Sequence, residues 1–309
     1  MPKKSLQDRI AAASSELQRL DETTVRFNIE IARREWSKKN PDIEKIYSLL
    51  KEAIERPLNK LTADANFLMW DLLYFDLNDI ELAKKHLIIA AELNHPRAMA
   101  DLGRAYFGNW LVPENAELAF KYLSKAHDLG DKLGTEMLAF CYMDGIGVQQ
   151  DVAQSTNLLI SLGEGYSGDN CCELSERFRN GIGTPKDVDK AEHLLYKAML
   201  MGSSRAYYVR AQQPNDGTKS LDEYYRDRFR WMKKSVNLKN PYQLSFNKLG
   251  QFYFFGQGTA QNFKLAKETF KKGIELGMLD GLVATAEMYL EALEDEDPIS
   301  ALDRILSEE

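Results

Sequence analysis

The sequence predicts an all-α fold: a right-handed superhelical α/α solenoid of helix-turn-helix repeats, with a period of about 36 residues. Three columns of residues in register carry that prediction. The first is a small anchor in each second helix. Ala83, Ala119, Ser155 and Ala191 stand 36 residues apart, and Ala266 follows 75 residues on, close to two periods, which puts a hidden repeat near Arg228. Four residues after the anchors come Leu87, Leu123, Leu159, Leu195, Met232 and Phe270. Seven after come Ala90, Ala126, Leu162, Ala198, Ser235 and Gly273, and ten after come Leu93, Leu129, Gly165, Met201, Leu238 and Leu276. Offsets of 0, 4, 7 and 10 share one face of a 3.6-residue helix, so that face is expected to be buried. The second column, Asn94, Gly130, Gly202 and Gly277, supplies residues that tolerate the left-handed conformation closing a helix, with Tyr166 standing in the Ser155 unit. The third is aromatic and marks the first helix of each unit: Tyr74, Tyr106, Tyr142, Phe178, Tyr253 and Tyr289.

Taken in chain order, residues 1–64 read as N-terminal capping helices without the repeat columns, since a solenoid needs an atypical unit to cover its exposed end. Ser5 to about Leu20 and Glu22 to about Trp36 predict one long or two shorter helices. Asn40 as N-cap and Pro41 as first helical residue predict another, running to about Glu55. Residues 65–309 predict six to seven helix pairs. The turns Gly145-Ile146-Gly147, Gly181-Ile182-Gly183 and Gly256-Gln257-Gly258 join first helix to second. A helix rather than a strand precedes each glycine pair, so these are structural loops and not a dinucleotide fingerprint. The unit at 65–94 lacks the turn, which accounts for its spacing of 32. The unit at 206–241 is divergent, its first helix broken between Pro214 and Gly217. Pro298-Ile299 opens a last helix with Leu302, Ile305 and Leu306, inside an end (Glu291 to Glu309) with eight acidic residues and one basic, read as a solvated cap.

These columns resemble the signature of the Sel-one-like repeat family, relatives of the tetratricopeptide repeat. Thr135 to Asp151 (TEMLAFCYMDGIGVQQD) is similar to the first half of that repeat, and Gly181 to Gly202 (GIGTPKDVDKAEHLLYKAMLMG) to the second. The resemblance covers about residues 65–309 and departs at 206–241 and in the first unit. It implies architecture far more than a pathway, because repeats of this family serve many. Cytosolic proteins resembling the family also occur beside secreted toxins.

Composition bounds the function classes. With 44% hydrophobic and 28% charged residues, the 309-residue chain reads as globular and able to bury a core. A net charge of −7 and a pI near 5.4 disfavour nucleic acid as a partner. No apolar run of spanning length or signal-peptide type is visible, so no membrane is expected and the cytoplasm is the expected compartment. Cys141, Cys171 and Cys172 read as buried or half-buried structural thiols. They and the four histidines offer no metal-ligand spacing, so no metal or cofactor is expected. No Ser/His/Asp or Cys/His arrangement supports another's chemistry, so catalysis is not expected.

The expected partner is another protein, a toxin or an effector among the candidates. The roles in view are scaffold or adaptor, toxin-neutralising immunity protein, or secreted effector. On the first helices, Arg104, Phe107, Phe140, Met143, Arg177 and Phe252 occupy non-core positions expected to line a concave groove. In the divergent unit, Arg205 to Lys239 holds nine basic residues against four acidic, with aromatics between them. Tyr208, Tyr225, Arg228 and Arg230 are the interface candidates there, being of the types that dominate protein interfaces. The same mixture suits single-stranded nucleic acid, but one short patch on an acidic chain argues against it.

Overall fold

A computed structural model describes residues 6–55, 59–277 and 280–308 of the chain. All described secondary structure is helical: α1 (Leu6–Trp36), α2 (Ile43–Ile54), α3 (Asn59–Asp71), α4 (Ile80–Glu92), α5 (Pro96–Gly108), α6 (Ala116–Asp128), α7 (Lys132–Asp144), α8 (Val152–Ser161), α9 (Gly168–Asn180), α10 (Val188–Leu200), α11 (Ser204–Gln212), α12 (Leu221–Val236), α13 (Leu244–Phe255), α14 (Phe263–Glu275), α15 (Asp280–Ala292) and α16 (Pro298–Glu308). Within each compact unit the helices pair as hairpins, α3 with α4, α5 with α6 and α7 with α8 in one, and α9 with α10, α11 with α12 and α13 with α14 in the other, the arrangement of an α/α solenoid. Packing divides the chain into two compact units, residues 1–162 and 163–309, each with its own core.

The anchor columns are the core. Ala83, Ala119, Ser155, Ala191 and Ala266 are fully buried, and so are Leu87, Leu123, Met232 and Phe270 four residues on. Smallness at the seven-residue offset lets helices touch. A Cβ on Gly134 of α7 would stand 2.5 Å from the Ala126 Cβ of α6, so neither position has room for more. The ten-residue offset departs from expectation. Leu129 is 50% exposed, and Met201 and Leu276 are each 43% exposed. The reason is that these residues are C-caps, one turn beyond the buried stripe, where the chain already turns away.

Each closure is made by the backbone. Gly130 has φ +82°, its N–H donates to the His127 carbonyl (2.8 Å), and the Asp131 N–H reaches back to Ala126 (2.9 Å). Asn94 and Gly202 repeat the pattern. In the Ser155 unit α8 stops at Ser161, and Gly163 (φ +76°), rather than a residue near Tyr166, takes the left-handed position.

The aromatic column has a backbone task as well. The carbonyls of Tyr106, Tyr142, Phe178 and Tyr253 accept the N–H groups of Asn115, Asp151, Asp187 and Asn262 at 2.8–3.0 Å. Those four residues N-cap the second helices with their side chains, so one contact sets where each hairpin's second arm begins.

The N-cap expected at Asn40 changes, and the neighbouring elements take a definite form. Residues 6–36 form one continuous helix, with Val25, Ile29 and Ala32 buried at helical spacing. Asp42, not Asn40, is the N-cap of α2; its carboxylate accepts the Lys45 N–H at 3.0 Å, leaving Pro41 outside the helix. In the first unit α3 runs into a π-helical turn, Leu72–Asp76, and Asn78 at φ +54° replaces the glycine turn.

Candidate protein-interaction site

The α3–α5 region of the first unit opens into a cleft of about 850 Å³. Its walls are aromatic: Phe67, Trp70 and Tyr74 from α3 and its π extension, Phe107 from α5, and Trp110 from the loop that follows. Trp70 and Tyr74 lie 4.6 Å apart centre to centre, and Trp110 meets Tyr74 edge-on at 5.6 Å. Phe75, 72% exposed, stands at the rim. The π turn matters here because it slips the register by one residue and brings Tyr74 and Phe75 onto the open side.

Charge is set into this aromatic wall. Asp71, Asp101 and Asp131 line the cleft together with Arg97 and Arg104. Asp101 is 6% exposed; its Oδ2 accepts from Arg97 Nε at 3.3 Å. Its Oδ1 lies 3.3 Å from Arg104 Nη2 but receives no aligned hydrogen bond. Burial raises the Asp101 carboxyl above its ordinary range against the pull of Arg97 and Arg104. Asp71 is pushed up to about 6, first by burial and then by the charge of Asp101, with Arg97 opposing. The Arg104 guanidinium lies 5.5 Å from the Trp110 ring centre, a cation–π contact. Asp131 caps α7 through the Gly134 N–H at 2.7 Å.

Arg104 (exposed) and Phe107 (half-buried) thus come together in one cleft. Phe140 and Met143 are half-buried on α7, outside it. Two expected groove residues are corrected. Arg177 is 1% exposed, held inside by Glu173, whose carboxylate takes its Nε at 2.9 Å and supplies the counter-charge burial requires. Glu173 and Glu176 also bind Arg205, which keeps that guanidinium protonated despite burial. Phe252 is 4% exposed because α12 covers it, Phe229 meeting it edge-on at 6.4 Å.

In the divergent unit, Arg228 is half-buried and already engaged. Its Nε donates to the Ala211 carbonyl at 2.6 Å, and its guanidinium centre lies 5.1 Å from the Tyr224 ring, 6.0 Å from Tyr225 and 5.7 Å from Phe252. It ties α11 to α12 across the 213–220 loop. Tyr225 is half-buried in the second unit's core, and Tyr208 meets Tyr242 edge-on at 5.1 Å. Arg230 alone of this group is exposed, with Asp227 as a loose partner at 3.6 Å. The three thiols are fully buried, and burial pushes Cys141 up to about 11 and Cys172 up to about 12, so none is a nucleophile at neutral pH. Among the described residues no group of His, Cys, Asp and Glu could hold a metal ion, and no helix is long and apolar enough to cross a membrane.

Sequence reasoning missed Trp70, Asp71, Asp101 and Trp110. Trp110 left a trace: it stands where other repeats carry the residue between two glycines, so the loop that elsewhere closes tightly here projects an indole.

Comparison with known proteins agrees with the repeat columns. The Sel1 repeat model matches residues 76–95, 96–131, 134–161, 171–203 and 247–278. Among solved structures, a Sel1 repeat protein from Oxalobacter formigenes is similar, with TM-score 0.59 and 20% identity over 91% of this chain and 81% of that one. So is c5321, a protective antigen of uropathogenic Escherichia coli strains with an SLR fold, at TM-score 0.51 and 19% identity over 93% and 69%. Both likenesses are of fold. A search of curated proteins gave no match. The divergent segment between 203 and 247 is the longest internal gap in the family matches, yet its α11–α12 hairpin keeps the register, with Met232 and Ser235 fully buried at the two offsets counted from Arg228. Sel1 repeats generally build non-catalytic protein-interaction scaffolds, and five of them in register over one helical-hairpin fold make this chain a Sel1-like repeat protein.

Proposed function

We propose that the chain is a non-catalytic binding module that holds a partner protein through the aromatic cleft of its first unit, working in the cytoplasm. The observation that carries this reading is the cleft itself: about 850 Å³ lined by six aromatic side chains, of which Phe75 and Trp110 are open to solvent where a purely solvated surface would be polar. Aromatic anchors with charged neighbours are the composition that dominates protein interfaces. Arg104 and Phe107 belong to this surface. Arg177 and Phe252 do not, being buried, and Tyr225 and Arg228 serve mainly to hold the divergent hairpin together.

The test is co-purification from the native cell with the wild-type chain and with Trp110→Ala and Phe107→Ala. A protein recovered in stoichiometric amount by the wild type and lost with both folded variants supports the reading. Equal recovery by all three removes the cleft from it. Two biological roles use such a surface, a pathway scaffold or adaptor and an immunity protein that neutralises a toxin. Protection of cells from the product of an adjacent toxin gene would favour the second, and no protection the first.

A further inference from the structure

We propose that the first-unit cleft receives a cationic side chain, arginine or lysine, from a basic segment of the partner, seated between Asp71, Asp101 and the aromatic wall. The proposal rests on the reading that the cleft binds a protein, and names the chemistry it selects.

Three carboxylates and two guanidinium groups line the cleft, which leaves one negative charge over. The members are not equally satisfied. Asp131 is spent on the α7 N-terminus, and Arg97 and Arg104 both turn to Asp101. Asp71 receives no hydrogen bond and no ion pair from the described residues, although it is half-buried. Asp101, more than nine-tenths buried, keeps Oδ1 without an aligned donor. The Asp71 carboxylate, without a donor and beside the buried charge of Asp101 in an aromatic-walled cleft, fits an incoming donor that carries positive charge. The walls suit the same guest. Arg104 already lies against Trp110, so a cation is at home on that indole, while the half-buried Tyr74, packed on the core residue Trp70, offers further ring surface in the same cleft as Asp71. The raised titration of Asp71 fits a carboxylate that lacks a partner. The charged groups facing it are Arg97, Asp101 and Arg104 from α5 and Asp131 at the start of α7. The net charge of −7 favours approach of a basic segment.

The test uses the full chain and two fluorescein-labelled hexapeptides, one alternating glycine with arginine and one alternating glycine with glutamate, followed by fluorescence anisotropy at low salt. The arginine peptide is expected to bind and the glutamate peptide not. Asp71→Asn should weaken the arginine peptide about tenfold, as loss of one charge-assisted contact does. Glu117→Gln, which removes the same charge from the exposed surface of α6, should change it less than about twofold. Affinity for the wild type should also fall several-fold from pH 7.5 to 5, as Asp71 takes up a proton, and this fall should be clearly smaller in Asp71→Asn, where only the raised Asp101 carboxyl remains to titrate. Equal weakening by Glu117→Gln and Asp71→Asn would reduce the binding to general attraction and overturn the proposal. So would preference for the glutamate peptide, or self-association that Trp110→Ala dissolves, which would make a second copy the occupant. If the native partner is still lost with Trp110→Ala while the peptides show no preference, the binding function stands and only the cationic assignment falls.

Discussion

Burial beside Asp101 moves the carboxyl of Asp71 from its ordinary 3.8 to about 6, so the folded protein holds that proton more tightly than the unfolded chain does. Ionising Asp71 therefore costs stability. The cost is absent below about pH 4, grows between pH 4 and 6, and is complete above 6. Asp71→Asn keeps the shape without the charge, and should raise the thermal midpoint at pH 7.5 by roughly 2 °C while leaving it unchanged at pH 4. A gain of the same size at both values would mean that the amide acts through packing and not through charge. Opposite in kind are the thiols, whose burial protects them. Cys141, Cys171 and Cys172 all titrate above the usual thiol range, chiefly through burial. The native protein should accordingly leave all three untouched by the thiol reagent DTNB at pH 7.5, whereas in denaturant all three should react at once. One prompt thiol in the native state would locate a region that opens readily.

The hairpin turns explain why glycine recurs at the level of the element. Gly147 has φ +69°, and a Cβ there would stand 2.1 Å from the Ala116 carbonyl oxygen at the start of α6. Gly258 repeats this against Tyr225, also at 2.1 Å. Ala116 and Tyr225 each precede their column anchors, Ala119 and Arg228, by three residues, so α12 packs as an ordinary second helix although its sequence has drifted. Gly130 separates strain from clash, since it has φ +82° with nothing within 4 Å. Gly130→Ala should cost about 1 kcal/mol in chemical denaturation, the strain alone, and Gly147→Ala about 3 kcal/mol or more, because a backbone carbonyl cannot step aside. Similar costs at both sites would show that α6 shifts to accept the methyl group. Elements of this sort were legible in the sequence because a repeat states its constraints several times over. Features written once were not: the π turn after Asp71 and the choice of Asp42 over Asn40 as cap each hang on a single local competition for hydrogen bonds.

Across the whole molecule the same distinction separates fold from site. The buried stripe of Leu87, Leu123, Met232 and Phe270 could be read from spacing, since helical periodicity and burial are one constraint. The cleft could not, because Trp70, Asp71, Asp101 and Trp110 converge only once α3, α5 and the following loop are folded, and no period links them. Arg177 misled for a related reason. An arginine in a first helix reads as surface, but this one is 1% exposed, and Glu173 on the same helix supplies a counter-charge for it there. Energetics should follow the repeat logic too, since hairpins that touch only their neighbours pass on destabilisation weakly with distance. Gly258→Ala, which drives a methyl group into the Tyr225 carbonyl, is expected to loosen α12 to α14 first. Native-state hydrogen exchange read helix by helix should accelerate there by at least about tenfold, while the protected amides of α3 to α6 in the other compact unit change little. Uniform acceleration along the chain would instead mean that both units unfold as one cooperative block, so that damage in either is felt at the cleft.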